Sequence, residues 1–399
     1  MGLHIRAAYP DDAETLLGLA RVLDDGDPAP VHHAWTTRLL AGEGPALAHG
    51  DVIVAEDGPE PVGMVWLLPQ PLQVRGVGIP AGQVEQLAVV PAHRGRGVAR
   101  LLVSALAARA RERGFLLTFV RGDAALYGRL GHPPILPRAR PVHLPSAPVE
   151  RRGELAAVPA VAGDAGLLAA WDSEQRTAVV RRPRDEAAWR AEVERDPGHP
   201  WRTSVWLAVD ARGTRHGAAG VLHVPGSPPV LHHLHVASGS DAAAVGRVGL
   251  AAVRRCAAGG PAGLLLTAGH PVRAAHEDLP GPVAAAPWGV AVPDAAALFA
   301  RVAGARSPAA PAAASPTEVD VAVVGGTGRW GLGSAVAGRA PGGDSRARFT
   351  ADGLAALVLG ARSVEALVAS GAASVPDPSV AGTLAAALPP GPCDVWPLA

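Results

Sequence analysis

The sequence predicts a multidomain chain of the α/β (α+β) class, and three observations support this prediction. An apolar strand pattern, an Arg-Gly-Arg-Gly turn and an Ala/Leu-rich helix pattern follow one another between Val84 and Arg113. A similar order of strands and one helix recurs between Thr203 and Ala258. Residues 318–370 then show strands followed by two short helices, which is the order typical of an α+β module.

Length, composition and charge narrow the class of protein. A chain of 399 residues has room for two or three domains, and no apolar run approaches the ~20 residues of a membrane span. The beginning of the chain lacks a basic-then-apolar signal pattern, and two cysteines are too few for a disulfide scaffold. The net charge is zero, so no overall field favours nucleic acid or membrane. We therefore expect a cytoplasmic protein without nucleic-acid or membrane partners, and we predict no metal site.

Two segments predict the domain boundaries. Residues 133–148 are too rich in proline for a helix or a central strand, which places a boundary near residue 150. Residues 303–316 have the Ala/Pro/Ser composition of a linker. The predicted domains are therefore 1–150, 151–303 and 304–399. The middle domain is predicted to be structural, because its Gly246-Arg247-Val248-Gly249 segment lies inside a helix pattern without a preceding strand and loop.

The turn that follows the strand at Val84 has the properties of an anion site. The first N–H groups of a helix are unpaired and carry roughly +0.5 of a charge together, so they favour a pyrophosphate. Gly95 and Gly97 would let such a group approach the backbone closely. The turn is not a P-loop or a dinucleotide fingerprint, since both patterns are absent. The alternative is an arginine-rich strand-to-helix turn without a ligand.

The same turn fits the pattern Q/R-x-x-G-x-G/A through Arg94, Gly97 and Ala99, and it resembles motif A of the GNAT acyltransferases. A predicted amphipathic helix to Arg113, a buried strand and a short helix with Tyr127 in Tyr-Gly-Arg-Leu-Gly-His continue the GNAT order. The resemblance implies acetyl-CoA as cosubstrate, with its pyrophosphate in the loop and its pantetheine arm on the strand. The implied cofactor-binding residues are Leu87, Ala88, Val89, Arg94, Gly95, Arg96, Gly97, Val98, Ala99, Arg100, Gly122 and Asp123.

Motifs in the rest of the chain extend the resemblance to the enhanced intracellular survival (Eis) type of GNAT acetyltransferase. They are Arg184-x4-Trp189 and residues 287–298, 327–330 and 349–371. We predict that Thr327–Trp330 form a turn. This type joins a GNAT domain, a degenerate second GNAT domain and a sterol-carrier-like C-terminal domain. The resemblance therefore implies tandem GNAT folds, with mixed central sheets flanked by helices, before a sterol-carrier-like α+β domain. It also implies a homo-oligomer, specifically a homohexamer.

The chemistry requires an acid for the departing thiolate and a base for the amine. By resemblance Tyr127 is the general acid, and the alternative is a tyrosine that only covers the core with its ring. The family implies the C-terminal carboxylate, here that of Ala399, as the base. An α-carboxylate with a pKa of about 3.5 is a poor base unless burial raises it, and this chain departs from the family's large apolar or aromatic last residue. Glu85 is the rival base, unless it is merely an exposed strand carboxylate.

An acid-rich segment followed by a tryptophan predicts where the acceptor binds. The implied substrate-binding residues are Asp24, Asp25, Asp27, Trp35 and Glu85. Carboxylates attract polycationic amines, and the resemblance implies small-molecule acceptors of the aminoglycoside type. The alternative for the acidic segment is a solvated helix cap. For the whole protein, a protein lysine acetyltransferase and a lipid-binding protein that uses the C-terminal domain remain alternatives.

Overall fold

The computed structural model describes residues 2–24, 31–144, 154–174, 178–195, 199, 202–224, 226–266, 270–276, 279, 283–304, 317–323, 326–332, 347–391 and 393–394. The chain divides into two compact units. The first contains Met1–Pro137, Ala178–Arg182 and Ala286–Val395, and the second contains Arg138–Thr177, Pro183–Ala285 and Trp396–Ala399. No helix of the described part is long and apolar enough to cross a membrane.

The described elements up to residue 144 include strands and helices, and five strands in succession, β2 to β6, precede the helix α3. In chain order they are β1 (Leu3–Ala7), α1 (Ala13–Arg21), α2 (Val31–Leu40), β2 (Val52–Asp57), β3 (Glu60–Pro69), β4 (Leu72–Val74), β5 (Val77–Ile79), β6 (Ala81–Val89), α3 (Val98–Glu112), β7 (Leu117–Val120), α4 (Ala124–Arg129), β8 (Pro134–Arg140) and β9 (Val142–Leu144).

The elements between residues 154 and 276 are again a mixture of strands and helices. They are β10 (Ala156–Pro159), α5 (Ala165–Glu174), β11 (Val180–Arg181), α6 (Glu186–Val193), β12 (Arg202–Val209), β13 (Arg215–His223), β14 (Val230–Val236), α7 (Ala242–Cys256), β15 (Ala262–Leu264) and α8 (Pro271–Ala275). The remaining elements are β16 (Val283–Ala291), α9 (Ala295–Ala303), β17 (Thr317–Val323), β18 (Gly326–Leu332), β19 (Ala347–Phe349), α10 (Ala351–Val358), α11 (Val364–Ala369), β20 (Ala373–Ser374), α12 (Pro378–Ala387) and β21 (Cys393–Asp394).

The main sheet of the first unit has the order β1-β2-β3-β6-β7-β16-β8. β6 and β7 are parallel, whereas β16 is antiparallel to β7. The helix predicted after the glycine turn is confirmed as α3, which buries Leu102, Leu106 and Ala110 in the core of this sheet. Its arginines lie mostly on the opposite, partly exposed side, so the sequence periodicity and the packing agree.

The second unit contains a sheet with the order β10-β12-β13-β14-β15-β9. α7 packs on one face through Val245, Val248 and Ala252, while α5 and α6 pack on the other through Leu168 and Trp189. The strands and the long helix predicted for this part of the chain are confirmed. The proline-rich segment supplies β8 and β9, each at the edge of its sheet, where a missing N–H disrupts the ladder least.

The C-terminal part of the first unit has a sheet of order β18-β17-β19-β20 with α10, α11 and α12. The prediction of a turn at Thr327–Trp330 is wrong, because these residues belong to β18. Val323 already pairs with Gly326, and Val319 pairs with Trp330. Thr and Trp favour strands, so the ladder includes them instead of ending there.

Arg75 connects two parts of the first unit that are distant in sequence. Its guanidinium donates hydrogen bonds to the carbonyls of Val358 (3.0 Å), Leu357 (3.2 Å) and Pro389 (2.8 Å). Two of these carbonyls belong to the last turn of α10, where a cation is favoured by the helix dipole. Burial lowers the pKa of Arg75 to about 10, which still leaves it charged at neutral pH.

Candidate active site

The candidate site begins where β6 and β7 separate. The parallel pairing runs from Ala81 opposite Leu117 to Val84 opposite Val120, where β7 ends. The rest of β6, residues 85–89, extends beyond that end. This stretch includes Leu87, Ala88 and Val89, which by resemblance to the GNAT enzymes would bind the pantetheine arm. An extended ligand with amide groups can hydrogen bond to such a strand edge.

A β-bulge lies in the same stretch of β6. Met64 pairs with Ala88 and Trp66 pairs with Glu85, so Gln86 and Leu87 together oppose a single residue of β3. Gln86 has a φ of 53°, which is uncommon for a residue with a side chain. A bulge bends its strand and redirects the neighbouring side chains. Gln86 also donates from Nε2 to the carbonyl of His32 at 3.2 Å, which ties the start of α2 to the bulge.

The glycine turn has the backbone geometry of an anion site. Gly95 and Gly97 have φ values of 76° and 84°, in the left-handed region that glycine adopts without strain. Both are exposed, and no atom lies within 4 Å of the place where a Cβ would stand at either of them. Gly97 is the N-cap of α3, so the N–H groups of Val98, Ala99 and Arg100 belong to the helix's first turn. These features favour the pyrophosphate interpretation over a turn without a ligand.

The arginines of the turn hold the loop in place. Arg94 donates from Nε to the carbonyl of Val89 at 3.2 Å. Arg96 donates to Asp57 Oδ2 at 3.3 Å, and His93 Nε2 lies 3.3 Å from the same oxygen. The loop is thus fixed to the ends of β6 and β2, and the backbone N–H groups remain the main features of the predicted phosphate site.

Tyr127 is positioned by the residues that start its helix. Asp123 accepts hydrogen bonds from the N–H groups of Ala125 (2.7 Å) and Leu126 (3.0 Å), and these bonds hold the pKa of its carboxyl below the usual range. The Tyr127 ring packs against Gly122 so closely that a Cβ at position 122 would overlap it. Gly122 and Asp123, predicted from the sequence to bind cofactor, therefore both contribute to the orientation of Tyr127.

The charge of Glu85 acts on Tyr127. Burial, and secondarily the charge of Glu85, raises the pKa of Tyr127 to about 12, so its phenol is protonated at neutral pH. Burial also raises the pKa of the Glu85 carboxyl, although Arg121, a hydrogen bond from Gln83 Nε2 and His32 oppose this rise. A carboxyl with a raised pKa and a protonated phenol are a suitable base and acid.

Sequence reasoning missed several polar residues around this pair. Thr118 on β7 contacts His132, with 2.9 Å between Oγ1 and Nε2, and burial lowers the pKa of His132 to about 4. The ring is therefore neutral at physiological pH. Gln83, Gln86 and Arg121 were missed as well. The adjacent polar residues Glu85 and Gln86, which break the alternation of β6, were the sequence signal for the bulge.

The predicted acceptor-binding residues have different environments. Asp24 is buried and accepts hydrogen bonds from the N–H groups of His32 (2.9 Å) and His33 (2.7 Å), so it caps the start of α2. Trp35 lies on α2 with 4% of its surface exposed. Asp25, Asp27 and Ala399 lie outside the described residues. Substrate contact by these residues stays a prediction.

The contact between Gly122 and Tyr127 yields a testable prediction. Gly122→Ala should displace the phenol and lower kcat for acetyl transfer by about 10-fold or more, since a misplaced acid loses much of its effect. Gly128→Ala is the matched control, because it adds the same methyl group to α4 where no atom lies within 4 Å. Steady-state kinetics of the two variants checks this, and equal rates would contradict the assigned orientation.

Comparison with known proteins identifies the fold and the family of the domain. Residues 20–134 match the family described as the acetyltransferase (GNAT) domain. Among the curated proteins, no sequence matches the chain. A GCN5-related N-acetyltransferase from Kribbella flavida has a similar structure, with 19% identity, a TM-score of 0.71 and coverage of 98% of this chain and 97% of that one.

Two further structures are similar. Eis1 from Mycobacterium abscessus shares 18% identity at a TM-score of 0.62, with 99% of each chain covered. A tandem GNAT protein from the clavulanic acid biosynthesis pathway shares 19% identity at a TM-score of 0.52, with 73% of this chain and 98% of that one covered. At these identities the likeness shows the fold. The predicted α/β fold class with GNAT-type sheets is therefore confirmed. The chain carries a GNAT acetyltransferase domain and is an acetyl-CoA-dependent acyltransferase.

Proposed function

We propose that this protein transfers the acetyl group of acetyl-CoA to primary amines of a polycationic small molecule of the aminoglycoside type. The observation that carries the proposal is the electrostatic effect of the Glu85 charge on the buried Tyr127 phenol, near the point where β6 and β7 separate. The elevated pKa of each side chain suits one to accept a proton and the other to donate one.

In the proposed reaction, acetyl-CoA lies along residues 87–89 of β6 with its pyrophosphate at the start of α3. The amine nitrogen attacks the thioester carbon, and its proton passes to the base. The C–S bond then breaks, and the Tyr127 hydroxyl supplies the proton for the CoA thiolate. The partial charge at the helix start and the two glycines support the pyrophosphate position.

Glu85 is the base that the described residues support better. Glu85 is partly buried, its charge acts on Tyr127 and its pKa is raised, so it is a better proton acceptor at neutral pH than an ordinary glutamate. The carboxylate of Ala399 is the alternative base. The polycationic acceptor is what the Eis-type resemblance of the sequence implies, and the carboxylate of Glu85 is its support among the described residues, since both oxygens of the buried Asp24 already accept hydrogen bonds from the start of α2.

We further propose the Eis-type organisation for the rest of the chain. It comprises a catalytic GNAT domain (1–150), a degenerate GNAT domain (151–303) and a sterol-carrier-like domain (304–399), in a cytoplasmic homohexamer. The mixed sheet of the second unit with helices on both faces supports the second GNAT fold. The four-stranded sheet β18-β17-β19-β20 with three helices supports an α+β C-terminal domain. Light scattering that gave a monomer mass would contradict the hexamer.

The function is tested by measuring thiol release from acetyl-CoA with a panel of aminoglycosides, spermidine, lysine peptides and propylamine as a singly charged control. The expected result is a kcat/KM for the polycations at least about 10-fold above that for propylamine, because each added charge strengthens attraction to the acidic acceptor side. Mass spectrometry should show an increase of one acetyl group per modified amine.

The other outcomes separate the alternatives. Fastest turnover with lysine peptides would make the protein a lysine acetyltransferase. Acetyl-CoA binding without turnover of any amine would show that the acceptor class is wrong. A stoichiometric lipid extracted from the purified protein, together with absent turnover, would favour the lipid-binding function.

A further inference from the structure

A cluster of histidines and one aspartate lies in the second unit, outside the GNAT match at residues 20–134. Asp172 is on α5, and His233 and His235 are on β14. One carboxylate oxygen and one ring nitrogen of each histidine lie within 4.8 Å of one another. Asp172 and His235 are buried, and His233 is half-buried. Two imidazoles and a carboxylate form a common ligand set for transition metals.

His233 and His235 are two residues apart on β14 and so share a face of the sheet, and a β-bulge before them decides which face that is. His233 pairs with Gly220 and Leu231 pairs with Val221, so His232 is the extra residue of β14. Leu231 and Leu234 consequently both contribute to the core beneath α7. His235 lies opposite Ala218, which packs with Trp189 in the core beneath α5 and α6. The bulge thus places His233 and His235 on the face that carries Asp172.

The surroundings leave room for the imidazoles. A Cβ at Gly220 would lie 3.0 Å from the His233 Cβ and 3.6 Å from His232 Nε2, so glycine accommodates both side chains. The rings of His233 and His235 meet edge to face with centroids 4.3 Å apart, and the Trp189 ring lies 5.0 Å from that of His233. His233 Nε2 is shielded from solvent and has no hydrogen-bond partner among the described residues.

A neighbouring backbone group fixes the position of the carboxylate. Asp172 accepts a hydrogen bond from the N–H of Arg184 at 3.1 Å, which fixes one side of the carboxylate. The Arg184 guanidinium itself lies over the Trp189 ring, 5.0 Å from its centroid.

We propose that Asp172, His233 and His235 bind a divalent transition-metal ion such as Zn²⁺, which links α5 to the central strand β14. Ligand atoms around a tetrahedral Zn²⁺ stand about 3.4 Å apart, so the three side chains need only small rotations to reach it. The metal is structural in this proposal, because its ligands join α5 to β14 within the second unit, whereas Tyr127 and Glu85 belong to the first. Sequence spacing does not reveal the site, since the carboxylate comes from a distant helix.

The test uses the full-length chain after removal of metal with a chelator. Titration with Co²⁺ should give visible absorption bands that saturate at one ion per chain, and Zn²⁺ should displace the Co²⁺. His233→Ala, His235→Ala and Asp172→Asn should each weaken binding about 10-fold or more. His216→Ala is the matched control, because His216 pairs with Asp210 at 3.2 Å in the same unit but outside the cluster.

Two results would overturn the proposal. The first is a wild-type protein that shows no saturable Co²⁺ spectrum at one equivalent, a measurement that does not depend on whether any variant folds. The second is binding that the three variants leave unchanged, or that His216→Ala weakens equally, since the ion would then be bound elsewhere. His233→Gln keeps a polar side chain of similar size, and its circular dichroism spectrum separates lost coordination from lost folding.

Discussion

Tyr127→Phe is expected to lower kcat for acetyl transfer by about 10²–10⁴-fold, the usual contribution of a positioned general acid. The substitution removes only the hydroxyl, whereas the ring that packs against Gly122 and the core around α3 remains. Acetyl-CoA affinity should therefore stay unchanged, because the proposed pyrophosphate and pantetheine sites lie on other residues. Stopped-flow thiol release and isothermal titration with acetyl-CoA measure the two quantities separately.

Tyr9→Phe is the matched control, because the chain contains two tyrosines and Tyr9 is 57% exposed. It should retain wild-type kcat. If Tyr127→Phe retained it too, the phenol would only cover the core, and water or the acceptor ammonium would have to protonate the thiolate. A leaving group of lower pKa offers a second check, since the loss caused by Tyr127→Phe should shrink when the thiolate needs less protonation.

The elements near the site were predictable because their signals are local. The helix start after Gly97 follows from a turn glycine and the 3.6-residue periodicity of Leu102 and Leu106, and α3 begins at the expected residue. The tyrosine helix follows from Asp123, whose side chain caps it. In both cases residues close in sequence determine the conformation, so one sequence is sufficient.

Other features depend on contacts between distant residues. The sheet β21-β11-β4-β5 combines strands of two or three residues from separate parts of the chain, and such short strands have no periodicity of their own. Residues 327–330 were predicted to be a turn, whereas the pairing of Gly328 with Val321 maintains the ladder of β18. The burial of Glu85, which makes it a stronger base, likewise depends on packing that the alternation of β6 does not reveal.

Glu85→Gln is expected to lower kcat by about 10²-fold or more at neutral pH, because the amide cannot accept the amine proton. The wild-type rate should fall as the pH falls through the raised pKa of Glu85, since only the carboxylate form acts as a base. This fall should therefore occur at a higher pH than for an ordinary glutamate, whose pKa is about 4.3. The phenol of Tyr127, with a pKa of about 12, remains protonated throughout the measurable range.

The acceptor amine also loses activity at low pH, so the two ionisations must be separated. The pH profile of kcat/KM contains one limb that reflects ionisation of the acceptor amine. This limb should move when acceptors with amines of different pKa are compared. A limb that stays at the same pH with every acceptor belongs to the enzyme. Glu85→Gln should abolish this second limb and leave the acceptor-dependent limb in place.

A chain extended by two glycines beyond Ala399 distinguishes the two candidate bases, because it removes the α-carboxylate from that residue. If Glu85 is the base, the extended protein keeps the limb of the pH profile that is the same with every acceptor, and Glu85→Gln loses that limb. The reverse pattern would assign the base to the terminal carboxylate and would leave Glu85 as a group that only raises the pKa of Tyr127. Whichever group is the base, Glu85→Gln should make Tyr127 more acidic, because it removes a charge that raises the pKa of the phenol. A spectroscopic titration of the phenol near pH 12 would detect this change.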